Sequence, residues 1–263
     1  MTTLGFESSK LQDLRCAVTV GVFDGVHLGH RKVLERTVEY ANDNGLKSVA
    51  ISFSRNPKMA KGVMPFNRPL ASSRITDELL VNIGIDYHCV IDFSEEMSKL
   101  SGVEFVAVLC RFCRVTAMFV GSDFSCGNPV SSIGAKQLGR AFQNNKIDAL
   151  VFLVDPILDI QGRVVSSSLI RSMLQKGDIA GSAVLLGRPY CLDMKDIPMI
   201  HDDGKVLMNA GSFSELIPRD GNWKATAIAE DGRSFEIELS IIGSCLAFQL
   251  SEPVKLDRII FKE

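Results

Sequence analysis

The chain has 263 residues, 46% of them hydrophobic and 23% charged, with a formal net charge of −2. This is the composition of a globular protein, and the length allows one large domain or a domain of roughly 180 residues with a small companion. A charge so close to neutral excludes the basic excess of a phosphate-backbone binder, so no nucleic-acid partner is expected.

Residues 1–13 lack the basic stretch and apolar core of a signal peptide. No later run approaches the roughly 20 apolar residues of a membrane span. A cytoplasmic protein without a membrane partner is therefore expected. The β-branched run at 16–23 predicts a strand leading into Phe23-Asp24-Gly25. Apolar residues at 33, 34, 38 and 41 predict a helix over 32–42, stopped by Asn44-Gly45. A strand at 48–53 follows, then a loop over 54–71 that is long enough for a lid. A helix at 72–83, strand 86–93, helix 103–113, strand 115–121, helix 133–143 and strand 149–154 continue the alternation. Two helices, 167–176 and 179–186, complete it.

Short buried strands alternating with helices predict an α/β fold with a doubly wound parallel sheet over 1–186. Ligands in such a sheet sit at the carboxyl ends of strands, near the switch point. Two of the predicted strands end there in glycine-flanked polar loops. From residue 187 helical periodicity stops. Strands at 205–209, 223–229, 233–240, 245–250 and 257–262, punctuated by Asp-Gly pairs, predict a small antiparallel β domain over 187–263.

Seven cysteines, an odd number scattered through apolar segments, argue for reduced and mostly buried thiols. Cys110 and Cys113 have zinc or redox spacing. They fall inside an apolar helical pattern with no second such pair, so helix packing is the expectation and no metal site is assigned.

Three motifs carry chemistry. The first is Gly21-Val-Phe-Asp-Gly25-Val-His27-Leu-Gly29-His30, which is neither a dinucleotide fingerprint nor a P-loop. Its glycines permit positive φ and close ligand approach. His27 and His30, three apart where a helix begins, share one side, and unpaired N–H groups there favour anions. The second is Val165-Ser166-Ser167-Ser168-Leu-Ile-Arg171. Serines before an apolar-periodic run are an N-cap signature. They also suit a second phosphate site with Arg171 adding charge. The third is Gly121-Ser-Asp123-Phe124-Ser-Cys-Gly127, either a sugar or ring contact or a turn with a buried Phe.

GVFDGVHLGH, GSDFSCG, VSSSLIR and Leu186-Gly-Arg-Pro-Tyr190, in that order and spacing, resemble the bacterial FAD synthetase family. The likeness is to the adenylyltransferase module of bifunctional riboflavin kinase/FMN adenylyltransferases and covers residues 15–190. It implies a Rossmann-like nucleotidylyltransferase domain acting on ATP and FMN. By it, His27, His30 and Arg171 are catalytic. Gly21, Phe23, Asp24, Gly25, Gly29, Gly121, Ser166, Ser167 and Ser168, with Arg171, bind ATP. Phe53, Pro57, Asp123 and Phe124 contact FMN. Mg²⁺ accompanies the triphosphate. Two departures stand out. The Phe-x-Pro-His-Pro run of the family reads Phe53-Ser-Arg-Asn56-Pro57 here. The Gly-Phe-Pro-Thr-Ala-Asn mark of the kinase module is absent after Tyr190. The β domain therefore resembles a shortened kinase remnant.

The expected reaction is transfer of AMP from ATP to FMN, giving FAD and pyrophosphate. The alternatives are a bifunctional riboflavin kinase/FAD synthetase, another small-molecule nucleotidylyltransferase, or a non-catalytic flavin or nucleotide sensor.

Overall fold

In the computed structural model, which describes residues 1–5, 11–54, 68–92 and 94–262, the short apolar runs of the first part pair into one parallel sheet. Its strands are β1 (Thr2–Gly5), β2 (Arg15–Val20), β3 (Lys47–Phe53), β4 (Tyr87–Ile91), β5 (Arg114–Gly121) and β8 (Leu150–Val154). A two-stranded ribbon, β6 (Ser125–Cys126) and β7 (Ile133–Gly134), follows β5. The order β1-β4-β3-β2-β5-β8 places the switch between β2 and β5, because the chain winds outward from them in opposite directions.

The described residues divide into two compact units. The first comprises Met1–Phe23, Gly29–Phe66 and Asp77–Ile157 and holds the parallel sheet. Helices α1 (Leu28–Asp43, all but its first residue here) and α2 (Ser73–Ile83, from Asp77 onward) belong to it. So do α3 (Glu95–Lys99), α4 (Gly102–Phe112) and α5 (Leu138–Asn144).

Period-two alternation in β2 decides which helix covers which face. Cys16, Val18 and Val20 pack with Phe105, Val106 and Leu109 of α4 and Leu138 and Phe142 of α5. Ala17 faces the other way, with Ala117, Phe119 and Ala41 of α1. Tyr40 of α1 lies 5.4 Å from the Phe119 ring and 5.1 Å from that of Phe152. Helices on both faces make the sheet doubly wound, as predicted. α1 stops where Gly45 takes φ 62 and the Leu46 N–H returns to the Ala41 carbonyl. Ser101 and Glu104 form a reciprocal capping box at the start of α4. His88 of β4 is 4% exposed, with Nε2 2.8 Å from Ser52 Oγ and Nδ1 2.6 Å from Asp77 Oδ1. That chain of hydrogen bonds ties β3, β4 and α2.

Two expectations need correction. The helix predicted over 133–143 begins as strand β7 and a 3-10 turn, and α5 starts only at Leu138. The Ala135 N–H bonds to the Phe124 carbonyl and Ser125 pairs with Gly134, so ribbon pairing overrides helical periodicity there. The first predicted strand ends at Val20, because Phe23 turns out of the β region with φ 48. Most of the 54–71 loop, 55–67 with Asn56 and Pro57, lies outside the described residues. Cys113 is 1% exposed and Cys110 half-buried. A hydrogen bond with Cys16 and burial push the Cys113 thiol well above its usual pKa, and burial alone takes Cys110 to about 11. Such thiols suit packing, not reactivity.

The second unit comprises Asp24–Leu28, Asn67–Thr76 and Leu158–Glu263. It holds α6 (Ser167–Lys176), α7 (Ile179–Leu186) and a seven-stranded antiparallel sheet. The strands are β9 (Cys191–Asp193), β10 (Ile200–Asp202), β11 (Lys205–Asn209), β12 (Gly221–Ala229), β13 (Ser234–Ile242), β14 (Cys245–Gln249) and β15 (Leu256–Phe261). They run in the order β10-β11-β14-β13-β12-β15-β9. Asp203 and Gly204, at φ 44 and 74, join β10 to β11 in the two-residue turn that suits strand twist. The antiparallel character was predicted. The three-residue strands β9 and β10 were not, being too short to show alternation.

Candidate active site

In the first unit, β2 runs into Gly21 and β5 ends at Gly121, and the pairing of Thr19 with Phe119 sets these two ends side by side at the switch point. A Cβ on Gly21 would lie 3.0 Å from the Phe23 ring, so glycine there lets that ring fold back. The Phe23 ring is 2% exposed and meets His30 edge-on, centroids 5.6 Å apart at 82°. Phe23 thus packs edge-on against a histidine in the first turn of α1. Beyond β5, the Phe124 N–H bonds to the Gly121 carbonyl, Asp123 is exposed and Phe124 is half-buried against the core. Gly127 has a packing reason: at φ 97, a Cβ there would stand 2.3 Å from Gly102 N. Phe53, at the end of β3, packs at 6.3 Å against Phe105.

In the second unit, the turn before His27 is strained and heavily braced. Gly25 has φ 74, and Val26, a β-branched residue, has φ 40. Such a conformation costs a non-glycine residue about 1–3 kcal/mol and persists only where its surroundings over-determine it. The Asp24 carboxylate accepts from the Leu70 N–H at 2.6 Å and from Arg171 Nη2 at 2.6 Å. The Ser167 hydroxyl donates to the Asp24 carbonyl at 3.0 Å. Arg188 Nη2 donates to the Gly25 carbonyl at 2.7 Å. Burial raises the Asp24 pKa, opposed by the Leu70 N–H and by the Arg171 charge. His27 itself is 5% exposed and directly precedes α1, which begins at Leu28.

Ser166 is the N-cap of α6, accepting from the Leu169 N–H at 3.3 Å, and Ser168 is exposed. Arg171 is 9% exposed; its other donors point to the Ser167 and Arg68 carbonyls at 3.3 and 3.4 Å. The structure therefore brings Asp24, just before His27, onto the serine-arginine helix start, 143 residues away along the chain at Ser167. It places Asp24 as the carboxylate partner of Arg171. Sequence reading missed Leu70, whose contribution is a backbone N–H and leaves no side-chain signal. It also missed Arg188, which sits in LGRPY just past the left-handed Gly187 cap of α7. Among the described residues no three His, Cys, Asp or Glu side chains are grouped closely enough to hold a metal ion. No described helix is long and apolar enough to cross a membrane.

A family model described as FAD synthetase matches residues 9–169. A bifunctional riboflavin kinase/FMN adenylyltransferase of Bacillus subtilis is 28% identical over 201 residues, which is 74% of this chain and 59% of that protein. The chain thus spans about three-fifths of that relative's length. A FAD synthetase of Listeria monocytogenes is 27% identical over 243 residues, covering 87% of this chain and 90% of its own length. A solved structure from Streptococcus pneumoniae, described as a macrolide-efflux protein, superposes with a TM-score of 0.81 at 19% identity. It covers 99% of this chain and 89% of its own. At that identity the likeness is one of fold.

Proposed function

The chain belongs to the FAD synthetase family, and from that premise we propose that it transfers the adenylyl group of ATP to FMN. A phosphate oxygen of FMN attacks the α-phosphorus of ATP, the bond from that phosphorus to the bridging oxygen breaks, and pyrophosphate leaves. The FMN phosphate is already a good nucleophile, so in-line positioning and charge neutralisation suffice. His27 and His30 are assigned to the charge developing on the α-phosphate. Ser166, Ser167 and Ser168, at the start of α6, are assigned to the outer phosphates with Arg171. Gly21, Phe23, Asp24, Gly25, Gly29 and Gly121 are assigned to the ATP site, Phe23 by holding His30 and Asp24 by holding Arg171. Phe53, Pro57, Asp123 and Phe124 are assigned to FMN. Mg²⁺ arrives on the ATP phosphates as part of the substrate.

The observation that carries this reading is the braced turn Asp24–Val26. Strain of that kind gathers where a side chain must be delivered in one place, and here the residue delivered is His27. The match to a relative named FAD synthetase over 87% of this chain and 90% of that protein, together with the absent kinase motif, supports adenylyl transfer without riboflavin phosphorylation. Residues 1–186 are proposed as the transferase domain and 187–263 as a kinase-like remnant.

The test is to supply the protein separately with riboflavin and with FMN, each with MgATP, and resolve flavins by chromatography. FAD from FMN, with no FMN from riboflavin, is expected. His30→Ala is expected to keep the fold while losing roughly 10²–10³ in turnover. An unimpaired His30→Ala rate, or no FAD from the wild type, overturns the assignment.

A further inference from the structure

The Gly25 and Val26 carbonyls lie before the first turn of α1, outside its hydrogen-bond ladder, and both residues are buried. Buried carbonyls of this kind need partners. Arg188 supplies one: Nη2 meets the Gly25 oxygen at 2.7 Å, and Nη1 reaches towards the Val26 oxygen at 3.5 Å, a much weaker contact. Nη1 also lies 3.5 Å from the Leu186 carbonyl at the end of α7. The planar fork therefore joins the end of α7 to the peptide that precedes His27. Gly187 makes this possible. It adopts φ 70, and a Cβ on it would stand 2.6 Å from Leu28 Cδ2, the first residue of α1.

Resting on the adenylyl-transfer reading above, we propose that Arg188 is a positioning residue that holds the strained Gly25–Val26 peptide and so sets the place of His27. Three facts converge on it. Val26 at φ 40 is not a conformation the local sequence would choose. The restraint on it must come from distant contacts, and Arg188 is 162 residues away from Val26. Arg188 acts on backbone atoms alone in this contact, so its effect is on geometry and not on substrate charge. Lysine cannot reproduce it, because an ammonium is a point donor without the fixed fork.

The test uses full-length Arg188→Lys and Arg188→Ala, with Arg233→Ala as a control on the exposed face of the second unit. Arg188→Lys is expected to stay folded by thermal unfolding, with kcat roughly 10²-fold lower and KM for MgATP nearly unchanged, as misplacement of a reacting group produces. Millimolar methylguanidinium is expected to restore part of the Arg188→Ala rate and nothing in the control. The ring ¹H–¹⁵N resonances of His27 are expected to shift in Arg188→Lys and not in Arg233→Ala. Should Arg188→Ala fail to fold, Arg188→Lys alone decides. Wild-type kcat in folded Arg188→Lys, a loss confined to KM, or an unmoved His27 signal overturns the proposal. The His27 signal reads positioning even if the wild type makes no FAD, an outcome that would sink the function reading alone.

Discussion

Gly25 illustrates how much of the candidate site is decided by single backbone angles. Its φ of 74 is routine for glycine, and a Cβ there would stand 2.8 Å from Leu70 Cβ and 3.4 Å from Leu186 Cδ2. Gly25→Ala would add about 1–2 kcal/mol of left-handed strain and about 1–3 kcal/mol of overpacking. A stability loss of about 2–5 kcal/mol is therefore expected in urea denaturation. A loss below about 1 kcal/mol would mean that the turn relaxes freely and is not braced. The glycine was legible in the sequence as a turn residue. The positive φ at Val26 was not, because no local preference favours it; it follows from Asp24, Leu70 and Arg188 holding the peptide.

Elements are joined by charge at positions the pattern could not connect. Arg74, the second residue of α2, donates to Asp193 of β9 at 2.5 Å and to Asp257 of β15 at 2.7 Å. Those partners are 119 and 183 residues away. Ser72 adds a 2.6 Å bond to Asp193. Burial pushes the Asp193 carboxyl up, but the Arg74 and Ser72 hydrogen bonds outweigh it and hold its pKa below the ordinary 3.8. A carboxyl depressed in the folded state contributes stability that is fully present above its unfolded pKa and is lost as pH falls through the folded one. Arg74→Met is expected to cost about 3 kcal/mol near neutral pH, the low end for breaking a buried pair because Arg74 keeps some exposure. The gap to wild type should then narrow below about pH 4. Urea titrations across that range check it; a gap that stays constant into acid would show that Asp193 does not carry the effect.

At the scale of the whole molecule, the chain is not cut once into two units. Asp24–Leu28 and Asn67–Thr76 belong with Leu158–Glu263 although they lie between segments of the other unit. Truncation after residue 186 would strip the second unit of its entire sheet, of Arg188, and of the carboxylates that hold Arg74. The truncated chain is expected to lose cooperative unfolding of the Asp24 and Arg74 regions and most soluble yield. Its urea transition and amide dispersion measure this. A truncated protein with a wild-type-like transition that still forms FAD would show residues 1–186 to be self-sufficient.

The sequence by itself determined the alternation of strands and helices, the parallel and antiparallel halves, and the N-cap at Ser166. All of these depend on local spacing and turn chemistry. At 133–137, ribbon pairing overrode the helical periodicity. Only the tertiary structure decided that Asp24 pairs with Arg171 and that Arg188 and Leu70 brace the turn before His27. Those arrangements rest on contacts between distant residues, and a buried carboxylate, carbonyl or strained peptide takes its partner from whatever packing brings near.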